Sequence, residues 1–230
     1  MIQHNFLYPS QNQSWVDLFV HRLNSDVSQI LSQQKKCSIF LTGGKSAKAL
    51  YPEMSRSFLG FKDQSLHFFL GDERFLPHDH MDTNAHTIRT TFDQDSLKKF
   101  QFHPVLKPEI NRDETVKNYD KLVEGHNDII MFSLGEDAHI ASLFPHQNAL
   151  QVRNQNYISS EGVSPYKERI TISFDFINIF KHKYVMVIGE QKALVLKQAL
   201  KSANDVSLYP VLGIQSPCFV LDETARQILI

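Results

Sequence analysis

An aspartate and a histidine two positions apart could perform acid–base chemistry. Asp137 and His139 follow the largely apolar run 128–134, which predicts a strand buried on both faces of a parallel sheet. A carboxylate beside an imidazole orients the ring and supports its positive charge when it accepts a proton. The pair therefore predicts a general base at a strand end. Because the chain has 11 histidines, chance proximity to an acid is the alternative interpretation of this pair alone.

A glycine-containing turn offers a place for an anion. Thr42, Gly43, Gly44 and Lys45 lie between a predicted strand and a predicted helix. Glycines let the backbone approach a ligand closely, and the N–H groups and dipole at a helix start favour phosphate. A nucleotide-binding P-loop is excluded because its earlier glycine would fall at Ile39, and no dinucleotide fingerprint is present. A tight turn without a ligand remains the alternative.

Three cations lie close to predicted strand ends. Arg74 follows one strand in the same short segment as Asp72, Arg169 opens another strand, and Lys192 opens the helix after a third. Each is by default a surface charge. Their shared placement predicts that they converge on one anion, where fixed cations supply charge-assisted hydrogen bonds.

A histidine-rich segment raises the question of a metal. It contains His78, His80 and His86, with Asp79 and Asp82 among them. Their spacing matches no zinc pattern, and neighbouring loop histidines are more often solvated than ligated. We therefore predict no bound metal.

Strand-sized apolar runs alternate with helical patterns along the chain, which predicts an α/β fold with a mostly parallel sheet. Ligands of such folds bind beyond the carboxyl ends of the strands. The predicted strands are 37–41, 66–70, 128–134, 169–174, 184–188 and 218–221, and the predicted helices are 15–31, 47–54, 191–200 and one after Asp222. Residues 77–106, with weak periodicity, predict a small lid or subdomain.

Composition limits the classes of protein. A length of 230 residues with 42% hydrophobic residues predicts one domain over 1–230. The 24 basic and 25 acidic residues give a net charge of -1, which argues against nucleic acid or an anionic membrane as a partner. No apolar run approaches the roughly 20 residues that span a bilayer. The lack of a secretory pattern at the start, and two cysteines within apolar runs, predict a reduced cytoplasmic protein.

Taken together, seven short segments resemble the 6-phosphogluconolactonase family over nearly the full length. The most specific is Gly135–Pro145, which is similar to the family's G-x-D-G-H-T-A-S-L-F-P. The other six, in chain order, are Leu41–Lys45 (L-S-G-G-S), Gly71–Arg74 (D-E-R), Asp79–Asn84 (D-H-P-D-S-N), Arg169–Thr171 (R-I-T), Gly189–Ala193 (G-x-x-K-A) and Phe219–Glu223 (W-F-L-D-E).

The resemblance implies a modified Rossmann-like fold, shared with glucosamine-6-phosphate deaminases, with helices on both faces of the sheet. It implies hydrolysis of 6-phospho-D-glucono-1,5-lactone to 6-phosphogluconate in the oxidative pentose phosphate pathway, without a cofactor. We expect the protein to be a monomer or a homodimer. His139 would then activate water with Asp137 beside it. The glycine turn, Arg169 and Lys192 would hold the 6-phosphate, and Arg74 and Asp72 would lie near the sugar.

Three departures from the family pattern leave alternatives open. Lys45 stands where the family has serine, Ala138 where it has glycine, and Ile140 where it has threonine. Ile140 is closer to the deaminase pattern, but Leu143 and Phe144 stand where deaminases carry Asn and Glu before proline. The alternatives are a sugar-phosphate isomerase or deaminase, and a non-catalytic sugar-phosphate sensor. Because Asp137 and His139 are both retained, we predict a negative φ at Ala138.

Overall fold

The computed structural model describes residues 5–77, 79–105 and 111–230. Ten strands occur in these residues. They are β1 (Asn5–Leu7), β2 (Cys37–Leu41), β3 (Leu66–Leu70), β4 (Asp72–Arg74), β5 (Gln101–Phe102), β6 (Ile129–Ser133), β7 (Tyr157–Glu161), β8 (Glu168–Ile172), β9 (His182–Val187) and β10 (Cys218–Leu221).

Eight α-helices alternate with these strands. They are α1 (Trp15–Gln33), α2 (Lys45–Phe58), α3 (Asn84–Thr91), α4 (Gln94–Lys99), α5 (Arg112–Leu122), α6 (Phe174–Ile179), α7 (Glu190–Lys201) and α8 (Glu223–Leu229). None of the helices in the described part of the chain has the length and apolarity needed to cross a membrane.

The central sheet has seven parallel strands in the order β1-β10-β9-β6-β2-β3-β5. All residues of β2 and β3 are buried, as continuous apolar runs in a parallel sheet should be. Phe40 of β2 lies beside Phe69 of β3, with ring centroids 4.8 Å apart. Each such ring contributes about 1.5–3 kcal/mol by leaving water. The predicted α/β fold with a mostly parallel sheet is confirmed.

A second, three-stranded sheet in the order β4-β8-β7 is antiparallel. The strand predicted at 169–174 therefore belongs to this sheet, and it ends at Ile172 because Ser173 caps α6 by accepting a hydrogen bond from the backbone N–H of Phe176 at 3.2 Å. Arg74 and Arg169 are partners in the β4–β8 register. The small sheet thus places two cations of the sequence analysis side by side.

The segment predicted as a lid or subdomain, 77–106, contains α3, α4 and β5 within its described residues. Strand β5 pairs with β3 at the edge of the central sheet. The side chains of Ala85, Ile88 and Phe92 belong to the main hydrophobic core. This part of the segment is therefore built into the body of the fold, and closure of any part of it over a ligand stays a prediction.

Candidate active site

A cavity of about 640 Å³ lies beyond the carboxyl ends of β2, β3 and β6. This is the end of a parallel sheet at which α/β proteins bind ligands. All the residues predicted from the sequence to bind or act on a substrate line it, namely Thr42, Gly43, Gly44, Lys45, Asp72, Arg74, Asp137, His139, Arg169 and Lys192. The structure brings these residues together, and the role of each stays a prediction.

The imidazole of His139 contacts the carboxylate of Asp137 inside this cavity. The Nδ1 atom lies 2.5 Å from Asp137 Oδ1, which also accepts a hydrogen bond from the His139 backbone N–H at 3.2 Å. Burial raises the pKa of Asp137, but the hydrogen bonds from His139 outweigh that effect and lower it below its usual range. With Nδ1 engaged by the carboxylate, Nε2 is the ring nitrogen left to accept a proton from a ligand or water.

The turn that presents this pair requires a glycine at its start. A Cβ atom on Gly135 would lie 2.0 Å from His139 Nδ1 and 2.7 Å from Asp137 Oδ1. The Gly135 backbone N–H donates to the His139 carbonyl at 2.9 Å, and its carbonyl accepts from Ala138 N–H at 3.1 Å. The turn is therefore closed by backbone hydrogen bonds, and the missing side chain of Gly135 makes room for the imidazole.

The prediction of a negative φ at Ala138 is wrong, because φ at this residue is +68°. Two backbone hydrogen bonds hold it there, one from its own N–H to Gly135 and one from Val211 N–H to its carbonyl at 3.2 Å. This left-handed conformation costs an alanine about 1–2 kcal/mol. The cost has not displaced the neighbouring imidazole, since His139 keeps its 2.5 Å contact with Asp137.

The first turn of α2 forms a second wall of the cavity. Gly44 precedes the helix with a φ of +91°, and no side chain caps its N-terminus. A Cβ on Gly43 would lie 2.1 Å from the side-chain oxygen of Asn84. The two glycines thus allow a sharp turn packed closely against α3. The uncapped N–H groups and the positive end of the helix dipole favour an anion at this wall.

Lys192 reaches the cavity from the first turn of α7. Its Nζ donates a hydrogen bond to Ser133 Oγ at 2.9 Å, at the carboxyl end of β6. Burial lowers the pKa of Lys192, nearby Glu136 raises it in part, and Lys45 lowers it further. Two ammonium groups near each other in a partly desolvated place are stabilised by a bound anion.

Arg169 and Arg74 add two more cations. Burial lowers the pKa of Arg169, and the neighbouring positive charge of Arg74 lowers it further. The Arg169 Nε donates to the backbone carbonyl of Tyr166 at 2.9 Å, and the Arg74 Nη1 donates to the carbonyl of Asp82. Within the described residues, each guanidinium uses one N–H donor in these bonds, and a guanidinium has five such donors.

Asp72 is held rigidly in the wall of the cavity. Its Oδ1 accepts from the side-chain amide of Asn84 at 3.1 Å, and its Oδ2 accepts from the hydroxyl of Ser142 at 2.6 Å. The adjacent Glu73 is fully buried and accepts backbone hydrogen bonds from Asn84 and Ala85 at 2.7 and 2.8 Å. Burial raises the pKa of Glu73 to about 7. These contacts fix α3 against β4, and so fix the place of Asp72.

The comparisons with known proteins agree with this geometry. The profile of the family described as Glucosamine-6-phosphate isomerases/6-phosphogluconolactonase matches residues 10–222. The chain belongs to this family. It is 30% identical over 211 residues to the 6-phosphogluconolactonase of Nostoc sp., covering 87% of this chain and 85% of that one. It is 28% identical over 215 residues to the 6-phosphogluconolactonase of Synechocystis sp., covering 87% and 88%. The resemblance stated from the sequence is confirmed.

Solved structures share the fold. A putative 6-phosphogluconolactonase from Neisseria gonorrhoeae superposes with a TM-score of 0.85 at 20% identity, covering 96% of this chain and all of that one. A monomeric glucosamine-6-phosphate deaminase superposes with a TM-score of 0.78 at 15% identity, covering 97% and 99%. A protein named as a lactonase and one named as a deaminase thus both share this fold.

Several residues of this family member line the cavity without having been predicted. They are Asn84, Ser133, Leu134, Gly135, Glu136, Ala141, Ser142, Phe144 and Val163. Most lie in segments that carry the family resemblance, so Asn84 and Ser142 had a sequence signal. Val163 had none, because it lies outside all of those segments.

The histidine-rich segment does not assemble a metal centre in the described part of the chain. The Nδ1 of His80 accepts a hydrogen bond from the Asp82 backbone N–H at 3.1 Å, and His86 lies in α3. Across 5–77, 79–105 and 111–230, no group of three His, Cys, Asp or Glu side chains is arranged to hold a metal ion. His78 lies outside the described residues. A site without a metal therefore stays a prediction.

Proposed function

We propose that this protein hydrolyses 6-phospho-D-glucono-1,5-lactone to 6-phosphogluconate. The observation that supports this most directly is the placement of the Asp137–His139 pair and of Lys192, Arg74 and Arg169 in one cavity. A base beside a group of cations suits an ester whose distant end carries a phosphate. Relatives at 28–30% identity are named 6-phosphogluconolactonase.

The phosphate is bound where cations and free N–H groups meet. The start of α2 at Gly44 and Lys45, together with Lys192 and Arg169, supplies both. Charge-assisted hydrogen bonds to such a dianion are roughly twice as strong as neutral ones. Binding energy from this remote group positions the lactone carbonyl for reaction. Asp72 and Arg74, on the facing wall, contact the sugar.

His139 performs the chemical step as a general base. Its Nε2 accepts a proton from a water molecule while the water oxygen attacks the carbonyl carbon of the lactone. Asp137 supports the positive charge that forms on the ring. The resulting oxyanion is stabilised by the cations of the cavity. When the intermediate collapses, the bond from the carbonyl carbon to the ring oxygen breaks and the ring oxygen takes the proton from His139 to become a hydroxyl. The single product is an open-chain acid, which loses its carboxyl proton to solvent to give 6-phosphogluconate.

This reaction requires no nucleophilic serine, metal or redox cofactor. We further propose that the enzyme acts in the oxidative pentose phosphate pathway, in the cytoplasm, as one domain over 1–230 and as a monomer or homodimer, with part of 77–106 closing over the substrate. Buried free thiols at Cys37 and Cys218 are in keeping with a reducing compartment. The balanced charge supports neither nucleic acid nor a membrane as a partner.

The decisive experiment compares two lactones. Freshly generated 6-phosphogluconolactone and its unphosphorylated counterpart are each hydrolysed with and without the protein, and the spontaneous rate is subtracted. We expect a clear excess rate with the phosphorylated lactone and a kcat/KM at least about 100-fold lower without the phosphate. Equal turnover of both, or no excess rate, contradicts the proposal.

A non-catalytic sugar-phosphate sensor is the second candidate, and the positive φ of Ala138 favours it. A strained catalytic turn is what a protein that has lost selection for catalysis would show. The intact contact between Asp137 and His139 favours the enzyme instead. A sensor would bind 6-phosphogluconate in calorimetry and leave the lactone at its spontaneous rate. A deaminase would release ammonia from glucosamine 6-phosphate, and we expect none because Leu143 and Phe144 supply no acid.

A further inference from the structure

Two loops meet beside the cavity, far apart in sequence. One is 79–83, which precedes α3, and the other is the hairpin tip 162–167 between β7 and β8. We propose that Tyr166 and Asp82, which join these loops, form a positioning pair that holds Arg74 and Arg169 ready for the phosphorylated substrate. The inference rests on the proposed function and adds a specificity device to it.

A short hydrogen bond joins the two loops. The hydroxyl of Tyr166 donates to Asp82 Oδ2 at 2.6 Å. This distance is typical of a bond from a hydroxyl to a carboxylate, which is stronger than a bond between neutral groups. The ring of His80 meets the Tyr166 ring edge-on at 5.5 Å, and its Nδ1 accepts from the Asp82 backbone N–H. Asp82 is thus held from both its backbone and its side chain.

Each member of the pair also holds one arginine of the cavity. The backbone carbonyl of Asp82 accepts from Arg74 Nη1, and the backbone carbonyl of Tyr166 accepts from Arg169 Nε at 2.9 Å. The two arginines are themselves partners in the β4–β8 register. The four residues therefore form a closed ring of contacts, in which the Tyr166 hydroxyl supplies the hydrogen bond between the two loops.

This ring opposes two effects that would move the arginines out of the cavity. Two neighbouring guanidinium groups repel each other, and a long side chain loses rotamer freedom when it is fixed. Without a substrate, both effects favour arginines that point away from the cavity. Carbonyl partners on two linked loops keep them in place beforehand, so that the substrate does not have to order them.

The hairpin tip also contributes directly to the cavity. Val163 lines it although 64% of its surface is exposed. Movement of the tip would therefore change both the place of Arg169 and the shape of the opening. Because neither Tyr166 nor Asp82 lines the cavity, they act through the arginines, and their loss should weaken substrate binding more than the chemical step.

The test is Tyr166→Phe, which removes the hydroxyl and keeps the ring beside His80. We expect KM for the phosphorylated lactone to rise by about 5- to 20-fold while kcat changes by less than about threefold. Asp82→Asn, which keeps an acceptor oxygen, should show a smaller rise. The matched control is Tyr8→Phe, which removes the hydroxyl of a tyrosine that does not line the cavity and should leave both constants unchanged.

A double variant separates positioning from general loosening of the fold. If the hydrogen bond is the operative contact, Tyr166→Phe should have no further effect on KM in an Asp82→Ala background. If the two substitutions raise KM independently, so that their effects multiply in the double variant, the inference is overturned. An unchanged KM in Tyr166→Phe, or a change confined to a lower kcat, also overturns it. Melting temperatures measured on the same samples show whether a rise in KM merely follows unfolding, which would also overturn it.

The inference and the proposed function can fail separately. If the wild type does not hydrolyse the lactone, the proposed function is wrong, and the pair is then tested by calorimetry with inorganic phosphate. Tyr166→Phe should raise the Kd for phosphate by about 5- to 20-fold, with Tyr8→Phe unchanged. The same Kd in wild type and Tyr166→Phe overturns the positioning role whatever the catalytic result.

Discussion

The two ends of strand β6 place aspartates in very different surroundings. At the amino end, Asp128 accepts hydrogen bonds from the Ser38 backbone N–H at 2.9 Å, the Ser38 hydroxyl at 2.8 Å and Lys181 Nζ at 2.7 Å. At the carboxyl end, Asp137 engages only its neighbour His139 among the described side chains, and both face the cavity. Asp128 is therefore satisfied by partners within the protein, whereas the Asp137–His139 pair is open to the cavity.

The helix starts show the same contrast. Six of the helices in the described residues have a side-chain cap, supplied by Ser14, Thr83, Asp93, Asn111, Ser173 and Asp222. Helices α2 and α7 instead follow Gly44 and Gly189, at φ +91° and +93°, without one. These two helices supply Lys45 and Lys192 to the cavity. A capping side chain would accept hydrogen bonds from the same backbone N–H groups that can donate to a phosphate.

Histidines differ between the two regions as well. His67, near the amino end of β3, has its Nδ1 3.2 Å from Nε2 of His103, and its ring stacks with those of His103 and His126 at 5.3 and 5.7 Å. Burial is the main cause that lowers the pKa of all three, to about 4 for His67. His139, beside a carboxylate, is placed to exchange protons, whereas this cluster is kept neutral.

The largest effect is expected from replacing His139, at the carboxyl end of β6. His139→Ala should lower kcat for the phosphorylated lactone by roughly 10²- to 10⁴-fold, because the proposed mechanism has this imidazole take the proton from water. The Kd for 6-phosphogluconate should stay within about threefold, since the phosphate contacts remain. Steady-state kinetics and calorimetry measure the two quantities. His21→Ala, at an exposed position of α1, is the control, and a fall of less than about fivefold for His139→Ala would place the proton transfer elsewhere.

The cations provide the next largest effect. Arg169→Ala and Lys192→Ala should each weaken binding of 6-phosphogluconate by about 1.5–3 kcal/mol, because each removes a charge-assisted hydrogen bond in a partly desolvated place. Calorimetry at fixed salt measures the change. Lys197→Ala is the matched control, since this lysine of α7 donates to the carbonyl of Ile228 outside the cavity. If neither cavity variant changes the Kd, both residues are excluded from the phosphate site.

The sequence predicted which residues lie together at the cavity better than it predicted the contacts that hold them there. The apolar runs of β2, β3 and β6 are continuous enough to identify parallel strands, and parallel strands share one carboxyl end, so the residues after them could be grouped. The pairing of Arg74 with Arg169 could not be predicted, because β4 is only three residues long and antiparallel to β8. Residues as distant in sequence as Asp82 and Tyr166 show no local pattern at all.

The prediction of a negative φ at Ala138 was wrong for a different reason. An alanine favours a negative φ, and the retention of both Asp137 and His139 favours one as well, since a strained turn could displace the base. The turn is instead set by backbone hydrogen bonds to Gly135 and from Val211. Since Val211 lies in a separate part of the chain, tertiary contacts override the local preference. The glycine that the family pattern has at this position is the sign of a positive φ that the resemblance supplied.

The histidine cluster predicts how stability responds to pH. An unfolded histidine has a pKa near 6.5, and the folded values are lower, so the unfolded state binds more protons below pH 6.5. The free energy of unfolding should therefore fall as pH drops from 6.5 towards 5. Glu73 has the opposite sign, since its raised pKa of about 7 makes the folded state bind a proton in this range, and it cancels part of the slope.

His103→Gln isolates the contribution of the cluster. Urea unfolding at pH 7.5, 6.5 and 5.5 should show a flatter pH dependence in this variant, by up to one proton or about 1.4 kcal/mol per pH unit, while the contribution of Glu73 is the same in both proteins. His21→Gln, exposed on α1, should leave the slope unchanged. If the variant is destabilised equally at every pH, the cluster is not the cause of the pH dependence of the unfolding free energy.

The smallest effect is expected at Ala138. Ala138→Gly should stabilise the protein by about 0.5–1 kcal/mol, because relief of a left-handed alanine, about 1–2 kcal/mol, exceeds the entropy that glycine adds to the unfolded chain. Ala199→Gly, within α7, should instead destabilise by about 1 kcal/mol or more. Because His139 already lies 2.5 Å from Asp137, kcat for the lactone should change by less than about tenfold in Ala138→Gly. A larger gain would mean that the strained turn holds the base out of place in the natural sequence, which would favour the sensor. A modest change, together with the gain in unfolding free energy, would mean that the strain is tolerated in an active site that works.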